Sequence, residues 1–214
     1  MRWRQRHEVL RLELPLAQPA TRVAADTSGG VLERPAVAAT AREAARWELP
    51  VISWFASQTA APGGGLAVLL DGPQGVDWNA NRLGISLLRG PTWPDPSADE
   101  GWHRQRLALM PLQSSWSQAA VPQAAIAMRE PGWWARRPGA TQQLLPPLPQ
   151  GVCPISVQPS GTSCRLRLHN PGAARVRWCP GLNWRFRRTE AAVATAAITL
   201  GPGELTEVLI DQSS

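Results

Sequence analysis

The sequence contains no lysine and no tyrosine: all 22 basic residues are arginine, and 11 of its 214 residues are tryptophan. The formal net charge is +6, which by itself would suit a nucleic acid or another anionic surface as a partner. The arginines are scattered, however, and the densest group is only Arg185, Arg187 and Arg188. We therefore interpret the charge as belonging to solvated strand faces, and we expect no nucleic-acid partner.

Cysteine is scarce as well, with only Cys153, Cys164 and Cys179 present. Three residues at these spacings indicate neither a disulfide framework nor a zinc site. Residues 1–7 lack the apolar core of a signal peptide, and no apolar run approaches the roughly 20 residues of a membrane-spanning helix. These absences predict a cytoplasmic protein with no membrane partner.

The common catalytic motifs are missing too. The three histidines, His7, His103 and His169, form no HxH, HxD or HExxH pattern, which argues against a self-contained metal site. No GxSxG, GxGxxG or GxxxxGK[ST] segment occurs. Residues 63–65 are three glycines, but they precede a predicted strand instead of a helix, so we do not expect them to bind a phosphate.

What the first half of the chain does contain is a series of short apolar runs separated by turn residues. The runs span residues 66–70, 83–88 and 107–110. Asp71-Gly72 can form a tight turn after the first run, and Asn79 and Asn81 mark a second turn. We predict that the three runs are paired antiparallel strands.

Further strands are predicted on the N-terminal side of these runs. Leucines alternate with other residues over 10–16, which is the period of a half-buried strand, and Pro15 places it at a sheet edge or marks its end. Residues 21–37 predict a second, weaker strand region that is turned at residues 28–30, and residues 49–55 predict a further strand.

Helical signals are weak. Residues 40–48 suit a single helical turn, which is too short to stand alone. Residues 117–128 are rich in alanine and are the best helix candidate, with Ser117 able to cap the start and Pro122 limiting the length.

Prolines between residues 129 and 150 indicate a linker. Beyond it, residues 165–168 and 174–178 flank Asn170-Pro171-Gly172, and residues 197–200 and 205–210 flank Gly201-Pro202-Gly203, so we predict two hairpins. The predicted fold class is therefore all-β with one short helix, with a proline-rich linker over 131–150 and a small terminal β-sandwich over 151–214.

Acidic residues cluster in the loop that follows residue 90. Asp95 and Asp99 flank a proline-rich segment, and His103 follows closely. A glycosidase needs two carboxylates at a defined separation across a sugar ring. Acidic residues are also common in turns, where they accept backbone hydrogen bonds. Spacing alone favours the turn role.

The stretch LAVLLDGPQGVDWNANRLGISLLRGPTWPDPSADEGWHRQRLALMP resembles the C-terminal half of glycoside hydrolase family 38, the α-mannosidases. The upstream segment Val31-Leu32-Glu33-Arg34-Pro35 is similar to another element of that family, and Trp47-Glu48 and Trp54 fall in a third. The resemblance covers roughly residues 1–130 and is looser over 151–214. The matching positions are Asp71, Gly75, Asp77, Leu87, Leu88, Arg89, Pro91, Pro94, Asp95, Pro96, Ala98, Asp99, Gly101, His103, Ala108, Leu109 and Pro111.

The resemblance implies a large β-sandwich over 1–130, a supersandwich of the mutarotase-like type, followed by a small β-sandwich. It also implies that retaining hydrolysis of α-D-mannosides belongs to the intact enzyme, whose zinc ligands and nucleophile lie in an N-terminal catalytic domain. No residue here matches those motifs, so we expect no cofactor and no catalytic residue in this chain, and a catalytic domain or subunit as its partner. The expected contacts with a mannose-containing glycan are Arg89, Trp93, Asp95, Asp99 and His103.

Three interpretations stay open at this point. The chain is a fragment or split subunit that works with a separate catalytic domain, or it is a stand-alone carbohydrate-binding module, or it is an inactive remnant. The second interpretation rests on tryptophan, which can stack on sugar rings. Its candidate stacking residues are Trp93, Trp102, Trp133 and Trp134.

Overall fold

The computed structural model describes residues 1–28, 30–46, 48–61, 64–130, 145–179, 181, 184–188 and 194–212. They belong to two compact units, Met1–Glu130 and Pro131–Ser214, called unit 1 and unit 2 below. Strands dominate both units, which confirms the predicted all-β class. Within the described residues, none of the helices combines the length and apolar character needed to cross a membrane. Most of the predicted linker, residues 131–144, lies outside the described residues.

Unit 1 contains eleven strands and two short helices in its described part. The strands are β1 (Arg2–Trp3), β2 (Leu10–Pro15), β3 (Ala20–Thr27), β4 (Gly30–Pro35), β5 (Leu49–Val51), β6 (Trp54–Thr59), β7 (Gly65–Leu70), β8 (Gln74–Asn79), β9 (Arg82–Leu88), β10 (Gly101–Trp102) and β11 (Leu107–Leu112). The helices are α1 (Ala41–Ala44) and α2 (Val121–Arg129).

These strands form two antiparallel sheets and one small ladder. The five-stranded sheet has the order β11-β7-β6-β3-β4, and the four-stranded sheet has the order β2-β9-β8-β5. β1 pairs with β10 over two residues. Strand β2 lies at the edge of its sheet and ends at Pro15, as the sequence predicted, because proline removes a donor that an inner strand would need.

The core of unit 1 lies between the two sheets. Side chains alternate along each strand, so every second residue faces this core. Phe55 and Val68 come from the five-stranded sheet, Leu83 and Ile85 come from the four-stranded sheet, and all four are fully buried. Burial of this apolar surface is the main driving force for joining the two sheets.

The other face of the five-stranded sheet is also apolar and is covered by α2. Trp54 and Trp116 lie there with ring centroids 5.1 Å apart. The helix follows Ala120, which has a left-handed backbone, and it carries Pro122 in its first turn. The prediction that Ser117 caps this helix was therefore wrong. Pro122 marks the start of the helix because its missing N–H is not needed there.

The predicted pairing of the three apolar runs was partly wrong. The runs at 66–70 and 107–110 are paired as β7 and β11, but the run at 83–88 lies in the other sheet as β9, paired with β8. Residues 49–55 do not form one strand either, because β5 and β6 belong to different sheets. In each case a short connection carries the chain from one sheet to the other.

Unit 2 has six strands among its described residues: β12 (Cys153–Ser160), β13 (Ser163–His169), β14 (Val176–Trp178), β15 (Trp184–Arg188), β16 (Ile198–Leu200) and β17 (Leu205–Gln212). One sheet has the order β12-β13-β17-β15, and β14 pairs with β16 in a second. Their shared core includes Leu166, Leu168, Trp178, Phe186 and Leu200.

Neither predicted hairpin of unit 2 is present. The turn at residues 170–172 connects β13 to β14, and the turn at 201–203 connects β16 to β17, so both join strands of different sheets. The buried side chain of Asn170 fixes this corner: its Nδ2 donates to the carbonyl oxygens of Ala174 and Gly201, both at 2.8 Å. In a flat hairpin these carbonyl groups would pair with the neighbouring strand. At a corner between two sheets they accept hydrogen bonds from the asparagine side chain instead.

Candidate functional site

The acidic loop of unit 1 runs from the end of β9 to β10, and Asp99 holds its first residues in place. The Asp99 carboxylate accepts hydrogen bonds from the backbone N–H groups of Arg89 at 2.8 Å and Gly90 at 2.9 Å. His103 is bound to the same residue, with Nε2 at 2.7 Å from the Asp99 carbonyl oxygen. Two of the predicted site residues, Asp99 and His103, therefore shape the loop.

Asp95 has a similar turn role. Its Oδ1 accepts hydrogen bonds from the Ser97 hydroxyl at 2.7 Å and from the Ser97 backbone N–H at 2.8 Å. Both contacts hold the pKa of Asp95 below its ordinary value, and the hydrogen bond from the Ser97 hydroxyl contributes most. Asp95 is therefore an ionised turn residue, and the structure gives this carboxylate no raised pKa of the kind that a general acid requires.

The N-terminal segment contacts this loop. Backbone N–H of His7 donates to the carbonyl oxygen of Gly90 at 2.7 Å, and Arg6 forms an ion pair with Glu100 at 2.9 Å. Gly90 has φ +51°, and a Cβ atom there would lie 2.5 Å from the carbonyl oxygen of Gln5. Glycine is thus required where the two segments touch.

Beside the loop lies a cleft with a volume of about 940 Å³. Arg89, Trp93 and Asp99 line it, whereas Asp95 and His103 are not among its lining residues. Trp93 is 83% exposed, which is unusual for so large an apolar side chain. The structure thus brings three of the five predicted glycan contacts to one cavity, with an aromatic face at its rim.

The cleft also contains polar residues that were not predicted from the sequence. Glu48 and Ser86 line it, and the Ser86 hydroxyl donates to Glu48 Oε1 at 2.5 Å. Arg11 Nη1 in turn donates to the Ser86 hydroxyl oxygen at 2.7 Å. Glu48 was visible in the sequence only as part of a family motif, with nothing to say what it contacts.

These contacts continue across the outward face of the four-stranded sheet as a network of charged side chains. We call this network of Glu48, Arg11, Asp77 and Arg82, together with Ser86, the charge ladder. Arg11 is ion-paired with Asp77, and Asp77 accepts a hydrogen bond from Arg82 Nη2 at 2.8 Å. Asp77 is only 6% exposed although it lies on this outward face. At its far end the ladder reaches a second cleft of about 530 Å³, lined in part by Asp77, Trp78 and Arg82.

Glycines leave room for the ladder. A Cβ atom at Gly84 would lie 2.3 Å from Asp77 Oδ1, and one at Gly75 would lie 2.6 Å from Glu48 Oε1. Both glycines occupy strands, where glycine normally weakens a sheet. Their placement means that the charged side chains lie flat against the backbone of the strands.

The described residues do not fit a zinc centre. Among them there is no group of three or more histidine, cysteine, aspartate or glutamate side chains placed to hold a metal ion. The three cysteines all lie in the described part of the chain, and none of them forms a disulfide bond. The carboxylates of the cleft are instead bound to hydroxyl, guanidinium and backbone N–H groups.

Comparison with known proteins decides which family this arrangement resembles. The model of the glycosyl hydrolases family 38 C-terminal domain matches residues 1–97. The resemblance to family 38 is confirmed. The matched region includes β1 to β9 and most of the cleft lining, and the looser resemblance of residues 151–214 lies beyond it.

Curated relatives agree with the family 38 match. The chain is 34% identical to alpha-mannosidase 2C1 of Homo sapiens over 129 residues, which is 60% of this chain and 12% of that protein. It is 29% identical to alpha-mannosidase G of Dictyostelium discoideum over 119 residues, or 56% of this chain and 11% of that protein. The chain thus matches about one eighth of the length of these relatives.

Solved structures share the fold. A protein in glycosyl hydrolase family 38 from Enterococcus faecalis matches with a TM-score of 0.60 at 17% identity, over 94% of this chain and 26% of that one. An alpha-mannosidase from Enterococcus faecalis V583 matches with a TM-score of 0.59, also at 17% identity, over 95% of this chain and 26% of that one. At this identity the likeness concerns the fold alone.

Proposed function

We propose that this chain is the C-terminal β region of an α-mannosidase and works with a catalytic domain that lies outside these 214 residues. The family 38 match over residues 1–97 is the observation that carries the proposal. The catalytic domain supplies the zinc ion and the nucleophilic carboxylate for retaining hydrolysis of α-D-mannosides. This chain supplies no catalytic residue and contributes part of the surface that holds a mannose-containing glycan.

In this proposal the cleft of unit 1 is the glycan-facing surface. Arg89 supplies guanidinium N–H donors, and the exposed ring of Trp93 supplies a flat apolar face on which a sugar can stack. Asp99 keeps the loop in shape through the backbone of Arg89 and Gly90. Asp95 in this loop and His103, which directly follows β10, remain candidate contacts.

Co-expression with a family 38 catalytic domain tests this proposal. We expect the two polypeptides to copurify, and the complex to cleave an aryl α-mannoside when zinc is present. The matched control is the catalytic domain expressed alone under the same conditions. Failure to copurify, together with equal cleavage with and without this chain, would show that the proposal is wrong.

A second candidate function is a stand-alone carbohydrate-binding module, and two exposed tryptophans favour it. Trp93 is 83% exposed and Trp102 is 79% exposed, whereas such side chains are highly buried on average. The other two candidates, Trp133 and Trp134, lie outside the described residues. Titration of mannose oligosaccharides, followed by tryptophan fluorescence in W93A and W102A variants, would show which ring responds. An unchanged signal at millimolar sugar would exclude this function.

We also propose a cytoplasmic location. It is supported by the three cysteines, none of which forms a disulfide bond, because thiols of this kind suit a reducing compartment. Fractionation of cells that express the tagged chain, with a cytoplasmic marker enzyme as the reference, tests this proposal. Recovery of the chain with the membrane or secreted fraction would contradict it.

A further inference from the structure

The cleft contains the carboxylate of Glu48, which is held by contacts to one of its two oxygens. Glu48 has a side chain that is 21% exposed. Its two contacts from within the sheet both go to Oε1: the Ser86 hydroxyl lies at 2.5 Å and Arg11 Nη1 lies at 3.8 Å. An ionised carboxylate can accept about four hydrogen bonds through its two oxygens. The contacts from Ser86 and Arg11 therefore leave it with capacity to accept further donors from the cleft.

We propose that Glu48 is a glycan-binding residue, whose carboxylate accepts hydrogen bonds from the hydroxyl groups of a neutral hexose that stacks on Trp93. The inference deepens the proposed function and rests on it, because that function is what places a glycan in this cleft. Glu48 and Trp93 line the same cavity. A carboxylate and an aromatic face together match a ring with hydroxyl groups at its edge and C–H groups on its face.

The charge ladder explains how Glu48 is held ready for a ligand. Ser86 and Arg11 fix Glu48 Oε1, and Arg11 is itself fixed by its ion pair with Asp77. Nearly buried ion pairs of this kind add little net stability compared with well-packed apolar side chains. They do restrict the rotamers of the groups they join, and a binding group that is already ordered loses less entropy when the ligand arrives. Arg11 and Asp77 are thus positioning residues for Glu48.

The negative charge also restricts the kind of sugar. Glu48 and Asp99 are the two carboxylates that line the cleft, and Asp99 accepts its two backbone hydrogen bonds through Oδ2 alone. An anionic sugar would place a second negative charge beside Glu48, which is unfavourable in a partly desolvated cleft. A neutral hexose avoids this repulsion and satisfies the carboxylate through its hydroxyl groups.

Gly75 offers a way to move Glu48 without changing any charge. A methyl group at position 75 would lie 2.6 Å from Glu48 Oε1 and 2.9 Å from its Cδ, so the flexible Glu48 side chain has to rotate away. Gly72 is the matched control, since a Cβ atom there meets nothing within 4 Å. Glu13 is the control for loss of charge, because it lies on the same sheet face, pairs with Arg82 and does not line the cleft.

The test is titration of the full chain with an α-linked mannotriose by isothermal calorimetry. Wild type, E48A and G75A are compared with the controls E13A and G72A, and thermal melts establish that each variant is folded. We expect affinity to fall by about tenfold or more in E48A and G75A, since each loses hydrogen bonds to the sugar. We expect E13A and G72A to bind like wild type.

Two results would overturn the inference. One is equal affinity for wild type and G75A, a variant that keeps the charge of Glu48 and needs only a side-chain rotation to fold. The other is no detectable binding of mannotriose by the folded wild-type chain at millimolar concentration. Neither result decides the proposed function, because copurification with a catalytic domain and cleavage of an aryl α-mannoside are measured separately.

Discussion

The two units use their buried polar groups in different ways. In unit 1, Asp77 is 6% exposed and Ser86 is equally buried, and both belong to a ladder that ends at the cleft. In unit 2, Asn170 is 1% exposed and ties a corner between two sheets. Glu204 closes the next corner, with its carboxylate accepting from the backbone N–H of Gly201 at 2.5 Å.

The two units also differ in net charge. Residues 1–130 contain 13 arginines and 12 acidic residues, whereas residues 131–214 contain nine arginines and four acidic residues. Unit 1 is therefore almost neutral, and its charges are available for pairs such as Arg11–Asp77 and Arg82–Asp77. Asn170 and Glu204 of unit 2 hold its turns, whereas the buried polar groups of unit 1 also shape a cavity. Mutations of these groups should therefore affect stability in both units, and ligand binding in unit 1 as well.

The largest loss of stability is expected from Asn170→Ala in unit 2. The change leaves the carbonyl oxygens of Ala174 and Gly201 without their donor and removes the acceptor for Gly172 N–H. Unfolding free energy should fall by about 3 kcal/mol, since buried groups lose their partners. Urea unfolding measures it, with Asn79→Ala at the exposed end of β8 in unit 1 as the control. Similar small losses in both variants would contradict the role given to Asn170.

A smaller loss is expected from Asp77→Asn in unit 1. The amide keeps the shape of the side chain but removes the nearly buried negative charge that Arg11 and Arg82 share. We expect unfolding free energy to fall by about 2 kcal/mol. The control is Asp71→Asn, which breaks an exposed ion pair with Arg106, and exposed pairs contribute about 0.5 kcal/mol. Equal effects of the two substitutions would mean that the ladder behaves as an ordinary surface network.

The smallest effect on stability is expected from Glu204→Gln, and it depends on pH. The backbone hydrogen bond from Gly201 is the main reason that the pKa of Glu204 is lowered, with Arg188 contributing as well. A carboxylate with a lowered pKa in the folded state stabilises that state above its ordinary pKa, and the contribution is lost as pH falls through the lowered value. At neutral pH we expect a loss of about 1 kcal/mol in the variant.

Thermal melts from pH 3 to pH 7 measure this dependence. The melting temperature of wild type should fall more steeply below about pH 4.5 than that of the variant. Glu8→Gln, at an exposed position of unit 1, is the control and should follow wild type. Parallel curves for wild type and the Glu204 variant would contradict the assignment.

The strands of both units could largely be predicted from the sequence, because alternation of apolar and polar residues fixes where a strand lies and which face is buried. Their partners could not. Asn170-Pro171-Gly172 and Gly201-Pro202-Gly203 reverse the chain as turns do, but a reversal does not state whether the next strand stays in the same sheet. That choice is made by the core, which needs both sheets to bury Leu166 and Leu200 together.

Prediction of the candidate site from the sequence was limited in the same way. The loop residues Arg89, Trp93 and Asp99 lie close together in the chain, so a motif could find them. Glu48 and Arg11 reach Ser86 from 38 and 75 residues away, and such a contact is set by strand register. The pairing of β2 with β9 places Arg11 directly beside Ser86, and no local pattern indicates this.

The most direct test of the contrast between the units is a two-dimensional amide NMR titration of the full chain with α-linked mannotriose. If unit 1 carries the ligand site and unit 2 does not, we expect shifts at residues 48, 75 and 86–93, with residues 145–212 unchanged. Shifts confined to residues 145–212, or no shifts at millimolar sugar, would contradict the assignment of the glycan site to the cleft of unit 1.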